Sequence, residues 1–497
     1  MAKKSSLFLL IRSLSKAEKR YFKLFAAMNR RNKNYLLLFD AIDRQAAYDE
    51  EALKKKFKKH AFTKQLHVTK NYLNKLIMKS LRNFHAQSSK EAALKGLLKD
   101  VEILFRRELY AQCRQTLQKA ELIANKYEKF VDLLEILAWK RRLNLNNRDH
   151  IDMQNNNNAL IETERATLQK LIRLNDYWRL TNNIFEVINT AREKGRDRPD
   201  DQIPHLLLQN CDQADSLRAK TLYYFCLQSY HFFNRNFDNA TRAAGDLIAL
   251  LEAHPHRIQD DPAAYIAALN NRVGICLHQK DYATAVKLLA KIRAIPQKYG
   301  LKRENPATAK LILQTFNMEL EMYRDTRDLQ KGIALAEKVS AFLSQIDENA
   351  QQDYRLVIYY QFAYLHFLNR SFDQSLHWLN EVFQRKFQTP REDILSYAQL
   401  LRLIIHFELG NTMVLKYAVE SCRRFLKKKR ELHTFERALL KFFSKASMAL
   451  PAEVPELFRQ LDDELFAGME ERGIRSVCDY LDVKGWLAQK LARFAHQ

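Results

Sequence analysis

Apolar and polar residues sort onto opposite sides of helices in the first part of this chain. From Thr63 to Phe84, the apolar Leu66, Leu73, Leu76, Ile77, Leu81 and Phe84 fall on one side of a helix, while Lys64, Asn71, Lys75 and Arg82 align within about 40° on the other. The first set predicts a core-facing stripe. The second predicts a basic strip able to follow a phosphate backbone or enter a major groove. Upstream, Ser15 with Glu18 makes a capping-box start, and Ala17, Tyr21, Phe25 and Met28 then form an apolar stripe opposite Lys16, Lys19, Arg20, Lys23 and Arg30. Two more helices, from about Tyr35 to Ala46 and from about Glu50 through Lys54, Lys55, Lys56, Lys58 and Lys59, complete a four-helix reading of residues 1–95.

Beyond this module the pattern repeats. YHFFNRNFDNA (Tyr230–Ala240) and LHFLNRSFDQS (Leu365–Ser375) share His-Phe, Asn-Arg and Phe-Asp in register, 135 residues apart. Tyr282 and Leu329 divide that interval into steps of 43 to 47 residues. Each large residue precedes a small one by three positions: Phe237 and Ala240, Tyr282 and Ala285, Leu329 and Gly332, Phe372 and Ser375. Tyr110 with Cys113 and Leu415 with Ala418 are outlying copies. The spacing predicts helical hairpins in which the large residue plugs the start of the second helix. The small residue, one turn on, lets the first helix cross close by.

LNNRVGICLHQKDYATAVKLL (Leu269–Leu289) is where this pattern most resembles the tetratricopeptide repeat. The period is longer than that family's value of about 34 residues, and Gly274 stands one position nearer Tyr282 than the family pattern places it. The resemblance implies an all-α, tetratricopeptide-like α-solenoid: a right-handed superhelix over residues 96–450 whose concave face binds a protein or peptide. Residues 451–497 would cap it with helices. Asn144–Asn158 reads as a loop or a frayed helix end, Lys194–Pro204, Ala253–Pro262 and Pro451–Pro455 read as loops, and repeat boundaries between residues 120 and 218 stay unplaced.

Composition strengthens the helical reading. Ten Gly and nine Pro in 497 residues are roughly a third of the usual share, too few for many hairpins or βα loops. The apolar run Leu7–Ile11 is too short for a signal-peptide core and Arg12 interrupts it, so cytoplasmic retention and no transmembrane segment are expected. Six scattered cysteines without a CxxC pair read as free thiols of a reducing compartment. The segments LSKAEKRYFKLF, NYLLLFDAI and VTKNYLNKLIMKSLR are similar to the opening segments of bacterial helical proteins, which implies a bacterial cytoplasmic origin and no particular activity.

Charge adds a functional direction. Residues 1–95 hold 23 Lys and Arg against 7 Asp and Glu, which is +16 of the total +24. Such a segment attracts polyanions over about one Debye length, about 8 to 10 Å. DNA, RNA, an acidic protein or a membrane surface could each be the partner, as could solvent alone.

Signatures of catalysis are missing. The nearest glycines, Gly468 and Gly473, are five positions apart, so GxGxxG does not fit, and Ile474 and Arg475 follow where a P-loop needs Lys and Ser or Thr. There is no HExxH and no GxSxG, and the carboxylate pairs Glu162 with Glu164 and Asp462 with Asp463 read as surface charge. His254 and His256 flank Pro255 without metal-site spacing, while His231 and His366 share a repeat position and read as packed side chains. The expectation is a non-enzymatic adaptor or scaffold without cofactor or metal that recognises a protein partner. The alternative is a nucleic-acid-binding regulator in which the array senses a peptide or dimerises. Tyr and Phe surround the helices at Leu222–Phe233 and Val357–Leu368, where they serve either as core or as peptide anchors.

Overall fold

The structure, a computed structural model, describes residues 6–28, 33–87, 89–145, 150–193, 206–301, 305–346, 351–385, 391–427, 434–466 and 480–495. Among them there is no strand, and the helices pack in adjacent pairs, consistent with an α-solenoid. The chain divides into two compact units, Met1–Ala268 and Leu269–Gln497.

The first unit opens with α1 (Ser6–Ser13), α2 (Lys16–Ala27), α3 (Lys33–Asp43), α4 (Glu50–Lys56) and α5 (Leu66–Phe84). These share a core of their own around Phe22, Phe39, Ile42, Leu73 and Ile77. The fourfold reading of this region missed α1, whose Leu7 and Ile11 lie one turn apart in that core. The short apolar run is therefore a packing face. The predicted α2 stripe is also displaced: Phe22 and Ala26 are the buried residues, whereas Ala17 and Met28 are exposed. Contact on two sides explains this, since Phe22 meets Phe39 of α3 at 4.6 Å and Tyr21 meets Phe84 of α5 at 5.2 Å. Ser15 does form the expected capping box with Glu18.

Next come α6 (Lys90–Arg106), α7 (Tyr110–Lys126), α8 (Phe130–Asn144), α9 (His150–Glu193), α10 (Leu217–Phe233), α11 (Phe237–Glu252) and α12 (Pro255–Asp260). Residue 95 lies inside α6, whose Leu94 and Leu98 belong to a separate core with α7 and α8. The Asn-rich stretch read as a loop or a frayed helix end is helical from His150 onward, the start of a 44-residue helix. Asparagine costs only about 0.7 kcal/mol per helical position, and α9 packs on α8. The bond from Asn144 Nδ2 to Asn157 Oδ1, 3.0 Å, is part of that packing. The loop expected at Ala253–Pro262 contains α12, with Pro255 in its first turn, where a missing N–H costs nothing. The loop expected at Lys194–Pro204 lies outside the described residues.

The unit boundary falls within α13 (Pro262–Gln279). The second unit continues with α14 (Tyr282–Lys298), α15 (Pro306–Asp325), α16 (Leu329–Gln345), α17 (Gln352–Leu368), α18 (Phe372–Gln384), α19 (Glu392–Glu408), α20 (Thr412–Lys427), α21 (Thr434–Ala446), α22 (Val454–Phe466) and α23 (Val483–Ala495). Pro451–Glu453 form a turn, while Val454 and Pro455 of the loop expected at Pro451–Pro455 open α22.

One turn recurs in both units. Glu108, Glu128, Arg235, Lys280, Arg327, Arg370 and Gly410 all have φ between 50° and 69°, and each stands two residues before a helix start. The N–H of each bonds back to the carbonyl three residues earlier, as Arg235 does to Phe232 at 3.0 Å. At six of these turns the next N–H bonds five residues back, as Asn236 does to His231 at 2.8 Å. This is a Schellman motif whose last residue is also the N-cap of the following helix. Asn236, Asp281 and Asp328 fill that cap with a side-chain oxygen.

Tyr110, Phe237, Tyr282, Leu329 and Phe372 each open the second helix of a hairpin, and Cys113, Ala240, Ala285, Gly332 and Ser375 are buried one turn later. The sixth landmark was read three residues out of register. Gly410 ends α19 and Thr412 opens α20, so Leu415 occupies the buried position given to Ala418. Gly332 shows why the position favours small residues: a Cβ there would lie 3.0 Å from Leu365 Cδ2 and 3.3 Å from Tyr323 Cβ.

Candidate nucleic-acid interface

The positive residues of the first module divide into two groups. Lys19 pairs with Asp43 at 2.6 Å and Lys23 with Asp40 at 2.7 Å, so the basic face expected on α2 is partly neutralised by α3. Lys16 and Arg20 are exposed, and Arg30 lies outside the described residues. Lys54 turns to Glu51 at 2.8 Å. Its hydrogen bond to that carboxylate holds its pKa above the ordinary lysine value.

Lys70 is half-buried and bonds to Glu50 at 2.6 Å and to Tyr48 Oη at 3.0 Å. Burial opposes its charge, but these partners outweigh it and raise the pKa, while the Lys70 and Tyr48 hydrogen bonds keep Glu50 below the usual carboxylate range. Glu18 is likewise held low: burial pushes it up, and bonds from Ser15 and His85 more than offset that. The module's acidic residues are thus largely committed to internal partners.

The second group is uncommitted. Lys55, Lys56, Lys58, Lys59, Lys64, Lys75, Lys79 and Arg82 are exposed, and none forms an ion pair among the described residues. From Ala52 to Lys90 the sequence has no Asp or Glu. Asn71 is also exposed, 3.5 Å from His67 Nδ1. Lys79, His67 and Tyr72 join the α5 strip, although the narrow alignment around Lys64, Asn71, Lys75 and Arg82 had left them out. Counting 100° per residue, exposed α5 side chains cover an arc of about 180° from Asn74 to Asn83.

The opposite face fixes α5 in place. Leu66, Leu73 and Ile77 are buried, each worth about 1.5 to 3 kcal/mol against exposure. Between α4 and α5 the chain makes a short 3-10 helix, Ala61–Gln65, and needs no positive φ, which explains why no Gly stands there. Thr63 Oγ1 donates to the Phe57 carbonyl at 2.6 Å, and the Phe57 and Phe62 rings lie 5.3 Å apart, bracing the turn.

The aromatic positions in the array have a different fate. Tyr359, Tyr360, Phe362 and Tyr364 of α17 are buried. Tyr360 Oη donates to the Tyr480 carbonyl at 2.7 Å, and Asp482 N–H donates to Tyr364 Oη at 2.9 Å. The chain's own C-terminal segment thus occupies Tyr360 and Tyr364, while Tyr359 and Phe362 pack against Trp378 of α18. His231 and His366 gain a third counterpart in His406, which sequence comparison overlooked. Each provides the carbonyl that closes its hairpin turn, and burial lowers the pKa of all three. Among the described residues no group of three or more His, Cys, Asp or Glu is placed to hold a metal ion, and no helix is long and apolar enough to cross a membrane.

No protein-family model matches the chain, and no curated protein or solved structure matches it.

Proposed function

We propose that this protein binds nucleic acid through α4 and α5 and that the rest of the chain, a tetratricopeptide-like array, acts as a non-enzymatic scaffold or sensor. The supporting observation is the set of eight exposed cations without ion pairs on an acid-free stretch. A merely solvated lysine face would normally mix both signs of charge. Here the carboxylates of the module sit on Lys19, Lys23, Lys54 and Lys70 instead. That separation leaves a positive field directed outward.

Fluorescence anisotropy with mixed-sequence DNA and RNA over a salt series tests this. Four to eight phosphate contacts on duplex DNA give a log–log slope of about −4 to −7. Replacing Lys55, Lys58, Lys59, Lys64 and Lys75 by Glu should abolish binding. Undetectable or salt-independent binding of every nucleic acid tried would contradict the proposal.

A protein-binding adaptor is the second reading. It is favoured by α9, where Ile161, Leu168 and Ile172 are exposed at a spacing that puts them along one line of the helix.

A further inference from the structure

We infer that the polyanion is double-stranded DNA and that α5 enters its major groove. This rests on the nucleic-acid reading above and goes beyond it by choosing among nucleic acids. The basic strip lies on a helix of 19 residues, roughly 28 Å long, held by a buried face. Rigid helices of this width fit the B-form major groove, whereas the deep, narrow major groove of A-form RNA excludes side chains.

Single strands demand another surface, with several exposed rings on which bases stack. Among the large apolar side chains exposed in the module, Tyr72 is the only aromatic one among the described residues. It lies at the edge of the arc, 6.3 Å from the Tyr35 ring and beneath Lys75 Nζ. With the exposed imidazoles of His60 and His67, this makes a sparse set of rings rather than a continuous stacking track.

The composition of the arc matches a groove floor. Asn71 and Lys75 stand one turn apart at its centre, and their side chains are the types that read adenine and guanine edges. Val68 and Met78 are 44% and 39% exposed beside them. Apolar groups so placed can meet thymine methyl groups. Lys55, Lys58, Lys59 and Lys64 precede α5 and Lys79 and Arg82 lie toward its end, where phosphates flank an inserted helix.

The test uses the full chain and three probes of equal length: mixed-sequence duplex DNA, duplex RNA and single-stranded DNA. Duplex DNA should bind at least tenfold more tightly than either other probe. Methyl green, a major-groove ligand, should compete, and distamycin, a minor-groove ligand, should not. In random-duplex selections Asn71→Ala should flatten base preference while leaving the salt slope intact, and Lys59→Gln should reduce that slope by about one. Equal or tighter binding of RNA or single strands, displacement by distamycin, or unchanged preference in Asn71→Ala would overturn the groove assignment alone. Failure of all three probes would overturn the nucleic-acid reading with it.

Discussion

The Ser375 hydroxyl of α18 donates to the main-chain oxygen of Ala363 in α17 at 2.6 Å, twelve residues upstream. Cys113 makes the same connection to Val101 through its thiol, at 3.7 Å. The corresponding pairs Ala240 with Gln228, Ala285 with Val273, Gly332 with Leu320 and Leu415 with Leu403 are also buried. Burial of two residues twelve apart thus recurs at the turn end of six hairpins, with a polar bond across it at Ser375 and Cys113. Ser375→Ala should cost about 1 kcal/mol through the lost hydrogen bond. Ser375→Leu should cost about 1 to 3 kcal/mol by overpacking. Urea denaturation measures both, and a Leu variant as stable as the parent would contradict the crossing account.

Gly332 is a closely approached position, with Leu365 Cδ2 3.0 Å from where a Cβ would stand. Gly332→Val should destabilise more than Gly332→Ala, because the added atoms meet Leu365 and the Tyr323 stem. The expected penalty for Val is about 1 to 3 kcal/mol. The same exchange at Gly245, which has open space around it, should have a smaller effect. Equal shifts in Tm at both sites would count against close helix approach at Gly332.

Much of this hairpin was legible because a polar cap and a large residue follow the turn, as in Asn236–Phe237 and Asp281–Tyr282. Phe130 escaped notice because Leu133, three positions on, is not small, although Glu128 makes the same turn. The copy at residue 410 was misread because Thr412 is an inconspicuous helix start beside Leu415. The long α9 was hidden by a run of asparagines, whose local helix preference is weak. On the candidate interface, the outward side of α5 followed from periodicity, since its partner lies on the same helix. The pairing of Lys19 with Asp43 and Lys23 with Asp40 did not, because it depends on how two helices meet.

The segment at Tyr480–Asp482 should loosen when its hydroxyl contacts are removed. Tyr360→Phe deletes the bond to the Tyr480 carbonyl and should cost about 1 kcal/mol. Trp486→Ala removes a ring packed 5.3 Å from Phe458 and should cost about 3 to 5 kcal/mol. Hydrogen exchange should rise at residues 480–495 in both variants. Unchanged protection there would contradict the role assigned to α17.

Acid should weaken the array before it titrates the carboxylates. Burial depresses the pKa of His231, His366 and His406, with Glu337 opposing it at His366 and Arg402 reinforcing it at His406. In the unfolded chain these imidazoles protonate near pH 6.5. Their contribution is therefore complete above that pH and is lost as pH falls through the lower folded values. Tm should hold between about pH 8 and 7 and drop toward pH 5.5. His366→Gln with His406→Gln should shrink that drop, and an unaltered profile would contradict the assignment.

The most direct measurement of the central claim is the ratio of absorbance at 260 and 280 nm for protein purified in low salt. Wild type should carry excess absorbance at 260 nm that washes off in about 1 M salt, where the Debye length falls to about 3 Å. The variant with Lys55, Lys58, Lys59, Lys64 and Lys75 replaced by Glu should show none. A wild-type preparation free of nucleic acid at low salt, or a variant that retains as much as wild type, would contradict the claim.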